Sequence, residues 1–167
     1  LVEEDLRLVR WKAAAAALIA AVAISSPAFA EFAMAVADFD TNGVPFHLGA
    51  AVSDIVRNEL STVPEITLVV VDRNHIVKAA GEQRIGMSGL VDPETAAKVG
   101  RIVGARYVLV GSVNSLGGEI SLDSRLVDVE SGEVIESFSA SSDTGQEGLP
   151  EAASYLAEDI KIVLTGS

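Results

Sequence analysis

SGLVDPETAAKVGRIVGARYVLVGSVN, residues 88–114, reads as a helix delivered directly into a buried strand. Asp92 is placed to cap that helix, because its carboxylate can accept from backbone N–H groups that the first turn leaves free. Pro93 follows at the first helical position, where its missing N–H costs nothing. Ala96, Val99 and Val103 recur at three- and four-residue spacing, which puts them on one face. Gly104 stands where a left-handed C-terminal cap belongs. Tyr107 to Val113 is then apolar almost without alternation, as expected of a central strand covered on both faces. Nothing in the stretch is a strong nucleophile, base or metal ligand, so it is a packing unit.

Upstream, Phe32 to Phe39 (FAMAVADF) is the first strand, with Ala33, Ala35 and Ala37 on one side and Met34 and Val36 on the other. Asp38 to Gly43 (DFDTNG) carries oxygens at alternate positions and glycine at the sixth, like the first half of a calcium loop. The twelfth position is Gly49, where a bidentate glutamate is required, so the stretch is read as a polar strand-to-helix turn without metal. His47 to Ser61 is an amphipathic helix. Leu48, Val52, Ile55, Val56 and Leu60 form its apolar stripe, and Asp54, Arg57 and Asn58 face water. Ile66 to Val71 (ITLVVV) is a second buried strand. Asp72 caps a further helix through Ile76, Val77 and Ala80. Asp72 and His75 suit a helix start better than a metal site, since no third ligand stands near them. Gly81, Gly86 and Gly89 then loosen the chain and offer a partner a place to dock.

Downstream, Glu119 to Asp128 (EISLDSRLVD) begins in clean alternation, and Val127 and Val129 break its phase, which predicts a bulge there. Ser131-Gly132 is a turn signal. Val134 to Ser142 (VIESFSASS) alternates weakly, as an edge strand does. Leu149 to Leu164 is a helix with Pro150 in its first turn and Leu149, Ala153, Leu156, Ile160 and Val163 on one face. The order β-α-β-α-α-β-β-β-α predicts an α/β fold, a mixed sheet of about five strands with helices packed on it.

The helix ending at Gly104-Ala105-Arg106-Tyr107, the strand VLVGSV (108–113) and the segment LVDVESGEV (126–134) resemble the CsgG-like family of the curli assembly apparatus. Ser88 to Asp92 and Val71-Asp72-Arg73 match the same pattern. The N-terminal domain of TolB and the lipoprotein activators of penicillin-binding proteins look like relatives of this α/β unit. The resemblance runs from about residue 33 to 164 and implies the fold; it implies function only loosely, because fold does not fix function. Family members at the outer membrane are typically lipoproteins, and the leader here holds no lipidation cysteine. The curli channel inserts long membrane hairpins into this fold. The link from Val113 to Ile120 is too short for one, since each transmembrane strand needs about 9–11 residues.

The chain has 167 residues, no cysteine and a formal charge of −12. Disulfides, zinc-thiolate sites and a cysteine nucleophile are excluded. Residues 1–30 are balanced, so the remainder, with 9 basic and 21 acidic groups, carries the whole charge. Such a surface repels phosphate backbones and argues against nucleic acid as a partner. Ala13 to Ile24 is an apolar run of twelve, preceded by Arg10 and Lys12 and followed by SSPAFA. That is the grammar of a secretory signal, with Ala28 and Ala30 as the small residues of the cleavage site and Glu31 as the mature N-terminus. The run is too short for a membrane anchor, and no stable membrane insertion is expected once the leader is removed. Glu3, Glu4 and Asp5 sit oddly in a basic leader, which suggests translation from Val9. The expected organisation is a leader over 1–30 and one CsgG-like domain over 31–167, located in the periplasm.

The leading expectation is an exported accessory or structural protein of the bacterial envelope, acting by contact with an envelope protein or with itself as a homo-oligomer. The alternative is a periplasmic binder of a small ligand, in a cleft at the ends of the first two strands, with Asp38, Asn42, Arg73 and His75 as the candidate surface. No enzyme is expected. Phosphate loops, nucleophile elbows and His-Glu-x-x-His are absent from the sequence, and no cofactor, catalytic residue or metal ligand is assigned.

Overall fold

The computed structural model describes residues 31–71 and 92–166. Its elements are β1 (Phe32–Val36), β2 (Asp40–Asn42), α1 (His47–Leu60), β3 (Ile66–Val69), α2 (Pro93–Val103), β4 (Tyr107–Leu116), β5 (Glu119–Asp128), β6 (Val134–Ser142), a 3-10 turn (Gly145–Gly148) and α3 (Leu149–Thr165). The readings on Ala28, Ala30, Asp72, Arg73, His75 and the glycines at 81, 86 and 89 lie outside the described residues.

The strands form one mixed sheet in the order β3-β1-β4-β5-β6, with β2 beside β4 beyond the end of β1. β3, β1 and β4 run parallel, as do β2 and β4. β4, β5 and β6 form an antiparallel meander. Parallel neighbours need crossovers, and α1 supplies the one from β1 to β3. The meander is joined by tight turns, the first built on Gly117 and Gly118, both at positive φ.

The helix read from residues 88–114 is built as its sequence dictates. The Asp92 carboxylate accepts from Thr95 N at 3.1 Å, Pro93 opens α2, and Gly104 closes it at φ 74° in the left-handed region. Each face of the sheet has its own core. Met34, Val36, Leu109, Val113, Leu122 and Leu126 meet α1 and α3 through Val52, Val56, Leu60, Leu156 and Ile160. Ala35, Ala37, Val108, Val110 and Val127 meet α2 through Ala96, Ala97 and Val99. The second core is all small side chains, so α2 lies close to the sheet.

Several expectations are corrected. β1 ends at Val36 rather than Phe39, and Asp40–Asn42 is a short strand on β4, not merely a turn, so the described residues form six strands where about five were expected. β3 stops at Val69 and is a sheet edge among the described residues, with Thr67 exposed and Val70 82% exposed, while Leu68 and Val69 are half-buried against the two cores. On α3 the buried stripe runs through Ala152, Ala153, Leu156, Ala157 and Ile160, and Val163 lies outside it. The expected irregularity is present, as a register shift between Leu126 and Val127. β6 is the other edge of the sheet, as its weak alternation predicts.

Candidate functional site

Two places gather polar side chains. The first is the gap between β1 and β2. Both strands pair with β4, so Ala37 to Phe39 interrupts one line of the sheet. A break leaves backbone groups without ladder partners, and buried ones must be satisfied elsewhere. Helix α1 does this. Arg57 donates to Val36 O from Nε at 3.1 Å and from Nη2 at 2.8 Å. Phe39 N donates to the buried Ser53 Oγ at 2.8 Å, and that hydroxyl donates to Gly49 O at 2.8 Å. Gly49 itself lies against the kink, where an added Cβ would sit 2.0 Å from Phe39 O. Gly49, Ser53 and Arg57 are four residues apart, so they form one stripe of the helix.

Asp38 falls in this gap. Its carboxylate pairs with Arg57, which also donates to Asp54 at 2.7 Å. The guanidinium is therefore committed to the fold and does not simply face water as its place in the helical pattern suggested. A shallow cavity beside it is lined by Val36, Asp38, Arg57 and residues 68–71. It lies at the ends of the first strands, and Asn42 is not part of it.

Asn42 belongs to the second place, the polar half of the sheet face that also carries α2. Its amide donates to Asn114 Oδ1 at 2.7 Å. Asn114 in turn donates to Ser112 Oγ at 3.0 Å and Asp123 Oδ2 at 2.7 Å. Ser121 reaches the same carboxylate oxygen at 3.0 Å, and Ser139 reaches the other at 2.9 Å. The register brings these together, because Ser112, Asp123 and Ser139 are successive partners across β4, β5 and β6. Among the described residues no helix covers this half. A cavity of about 430 Å³ lies over it, lined by Ser112, Asn114, Asp123, Arg125, Ser137 and Ser139, among others.

Asp40, opposite Ser112 on β2, shares this region. Burial pushes its carboxyl up to about 6, and its Oδ2 is buried with no hydrogen-bond partner. Of the two acids in the stretch read as a polar turn, Asp38 is exposed and Asp40 is partly buried. At the β5–β6 turn the opposite arrangement occurs. Asp128 accepts from the Glu130 and Ser131 N–H groups, each at 2.9 Å, and these bonds hold its carboxyl below the usual range.

The structure thus separates Asp38 and Asn42, which the sequence reading had grouped. The signals it missed were small or polar residues on a buried helix stripe, Gly49 and Ser53, and hydroxyls at alternate positions of three strands that proved adjacent. Groups of three or more metal-ligating side chains are absent among the described residues. None of their helices is long and apolar enough to cross a membrane.

A mixed sheet with helices on both faces, a late meander and no preformed acid–base constellation among the described residues defines an α/β domain of the CsgG and TolB type. The family model described as "Curli production assembly/transport component CsgG" matches residues 8–121, well over half of the sequence, and the chain belongs to that family. The match stops at the start of β5, so β6 and α3 lie beyond it. No curated protein sequence matches significantly. Among solved structures, LpoB from E. coli is similar over 67% of this chain and 56% of that one, at 24% identity and TM-score 0.53. The PelC dodecamer from Paraburkholderia phytofirmans is similar over 82% and 89%, at 20% identity and TM-score 0.52. TolB from Acinetobacter baumannii is similar over 81% of this chain and 29% of its own, at 16% identity and TM-score 0.53. At these identities the likeness concerns the fold.

Proposed function

We propose that this chain is an exported accessory protein of the bacterial envelope that works by protein–protein contact, with the outer edge of β6 as its main contact. The observation that carries the reading is the edge itself. β6 runs nine residues, pairs on one side only among the described residues, and leaves Val134 and Ile135 37% and 46% exposed at its start. A strand edge of this length offers a row of unpaired backbone groups to another chain. Membership of a family described as an assembly and transport component supports the reading. So does the dodecameric state of PelC, which makes a second copy of this chain one natural partner. The β4–β5 link is a two-residue turn, Gly117-Gly118, so no membrane hairpin is inserted there, and the pore-forming role is not carried over. The reading assigns no catalysis to either candidate place. Export follows from the leader, with removal after Ala30 and a periplasmic location.

The test is a photocrosslinking residue placed at Ser137 on the β6 edge, compared with one at Thr62 after α1. Adducts from position 137 alone, to an envelope protein or to a second copy, are expected. Adducts from position 62 alone, or from neither, would sink the edge contact. Mass spectrometry of the mature N-terminus tests the leader: a chain starting anywhere but Glu31 rejects cleavage after Ala30.

A further inference from the structure

We infer that the half of the β4–β5–β6 face that no described helix covers is a binding site for a neutral saccharide chain, recognised through its vicinal hydroxyls. The site needs no partner protein and does not depend on the edge contact. Four observations lead to it. First, the place is concave, a cavity of about 430 Å³. Second, its side chains are held in position before any ligand arrives. Asp123 accepts three hydrogen bonds, and Asn114 donates two and accepts one. Ordering the site therefore costs a ligand little.

Third, the groups offered are hydroxyls, amides and one carboxylate. Ser121 and Ser139 spend their protons on Asp123 and keep oxygen lone pairs, while Ser112 accepts from Asn114 and has a proton to donate, so the face can complement sugar hydroxyls without ionisation. The Asp123 carboxylate at the centre disfavours an anion, and Arg125 on the rim disfavours a cation. Fourth, the backbones of β4 and β5 are paired on both sides, so the face presents side chains rather than main-chain groups. A peptide strand would gain little there, whereas a polyhydroxylated chain needs only side-chain partners.

The test is a titration of the isotope-labelled protein, as recovered from the expressing cell, with three probes: maltohexaose, cellohexaose and the N-acetylated chitin hexasaccharide. Amide NMR spectra are the readout. Saturable shifts are expected at the Asn42 and Asn114 side-chain NH2 groups and at backbone amides of residues 112–114, 121–125 and 137–139. Response to the chitin probe alone points to an acetamido-glycan such as a cell-wall strand; response to the glucans points to a plain polyhydroxyl chain. Ser139→Ala and the exposed-site variant Ser137→Ala should each weaken binding about 3- to 10-fold, the loss of one neutral hydrogen bond. The Ser137 side chain is on the surface, so this variant keeps its folded spectrum. Absence of saturable shifts with all three probes overturns the inference. So do shifts confined to another surface, or shifts unchanged in the Ser137→Ala, Ser139→Ala double variant.

Discussion

The two halves of the sheet solve the same problem differently. In the antiparallel half, β4, β5 and β6 run nine or ten residues each, and their ladders satisfy one another with a single register shift. In the parallel half the line next to β4 is broken into five- and three-residue pieces. There the strands do not satisfy themselves, and a helix supplies the missing partners through Gly49, Ser53 and Arg57. A continuous ladder distributes its stability over many equivalent bonds. A stitched break concentrates it in a few side chains, and single substitutions there should be disproportionately costly.

Gly49→Ala is the hardest test of that contrast. Its methyl would enter the Phe39 carbonyl at 2.0 Å, and backbone cannot rotate aside as a side chain can. A loss of about 3 kcal/mol is expected, read as a melting temperature roughly 10 °C lower. A change within a degree would mean that the helix and kink separate easily. Ser53→Ala comes next. It leaves the buried Phe39 N–H without its acceptor, which costs about 1–3 kcal/mol. Chemical denaturation with an unchanged m-value is the measurement. The matching serine of the antiparallel half is Ser124, 3% exposed, whose Oγ has no partner. Ser124→Ala should therefore be neutral or stabilising by up to about 1 kcal/mol, because a buried polar atom is removed and none is orphaned. Equal losses at 53 and 124 would break the comparison.

The same contrast explains what the sequence made legible. The antiparallel half declares itself through alternation in EISLDSRL, through the phase break at Val127 and through turn glycines, all local signals. α2 declares itself by its caps. The break does not. FAMAVADFD stays apolar through Ala37 and is apolar again at Phe39, so nothing local says that pairing stops at Val36. The interruption is a tertiary event, completed by an oxygen from Ser53, which is 14 positions away from Phe39 in sequence. ITLVVV likewise reads as buried although Val70 is 82% exposed, because hydropathy reports composition and not the strand's place in the sheet. The polar face was invisible for a related reason. Asn42, Asn114, Asp123 and Ser139 become neighbours only through sheet order and register.

Acid titration offers the finest discrimination, because the two halves should respond with opposite sign. Asp40, in the parallel half, has a folded-state carboxyl at about 6 against an ordinary value of 3.8. Between those values the folded chain binds more protons than the unfolded one, so this group makes stability fall as pH rises from about 4 to about 6. Asp128, in the antiparallel half, is held below 3.8 by its turn N–H groups. Its stabilisation is present above that value and is lost as pH falls through the lowered folded-state range. Asp40 is only partly buried and Asp128 is close to solvent, so both effects are screened and small beside the substitutions above. Denaturation midpoints taken across the acid range should show Asp40→Asn flattening the slope between pH 4 and 6, while Asp128→Asn lowers stability evenly above pH 4 and changes the slope only in the more acidic limb. If Asp40→Asn leaves the slope intact, the buried Oδ2 finds a donor in solution. The break in the sheet would then be sealed on that face as well as on the face of α1.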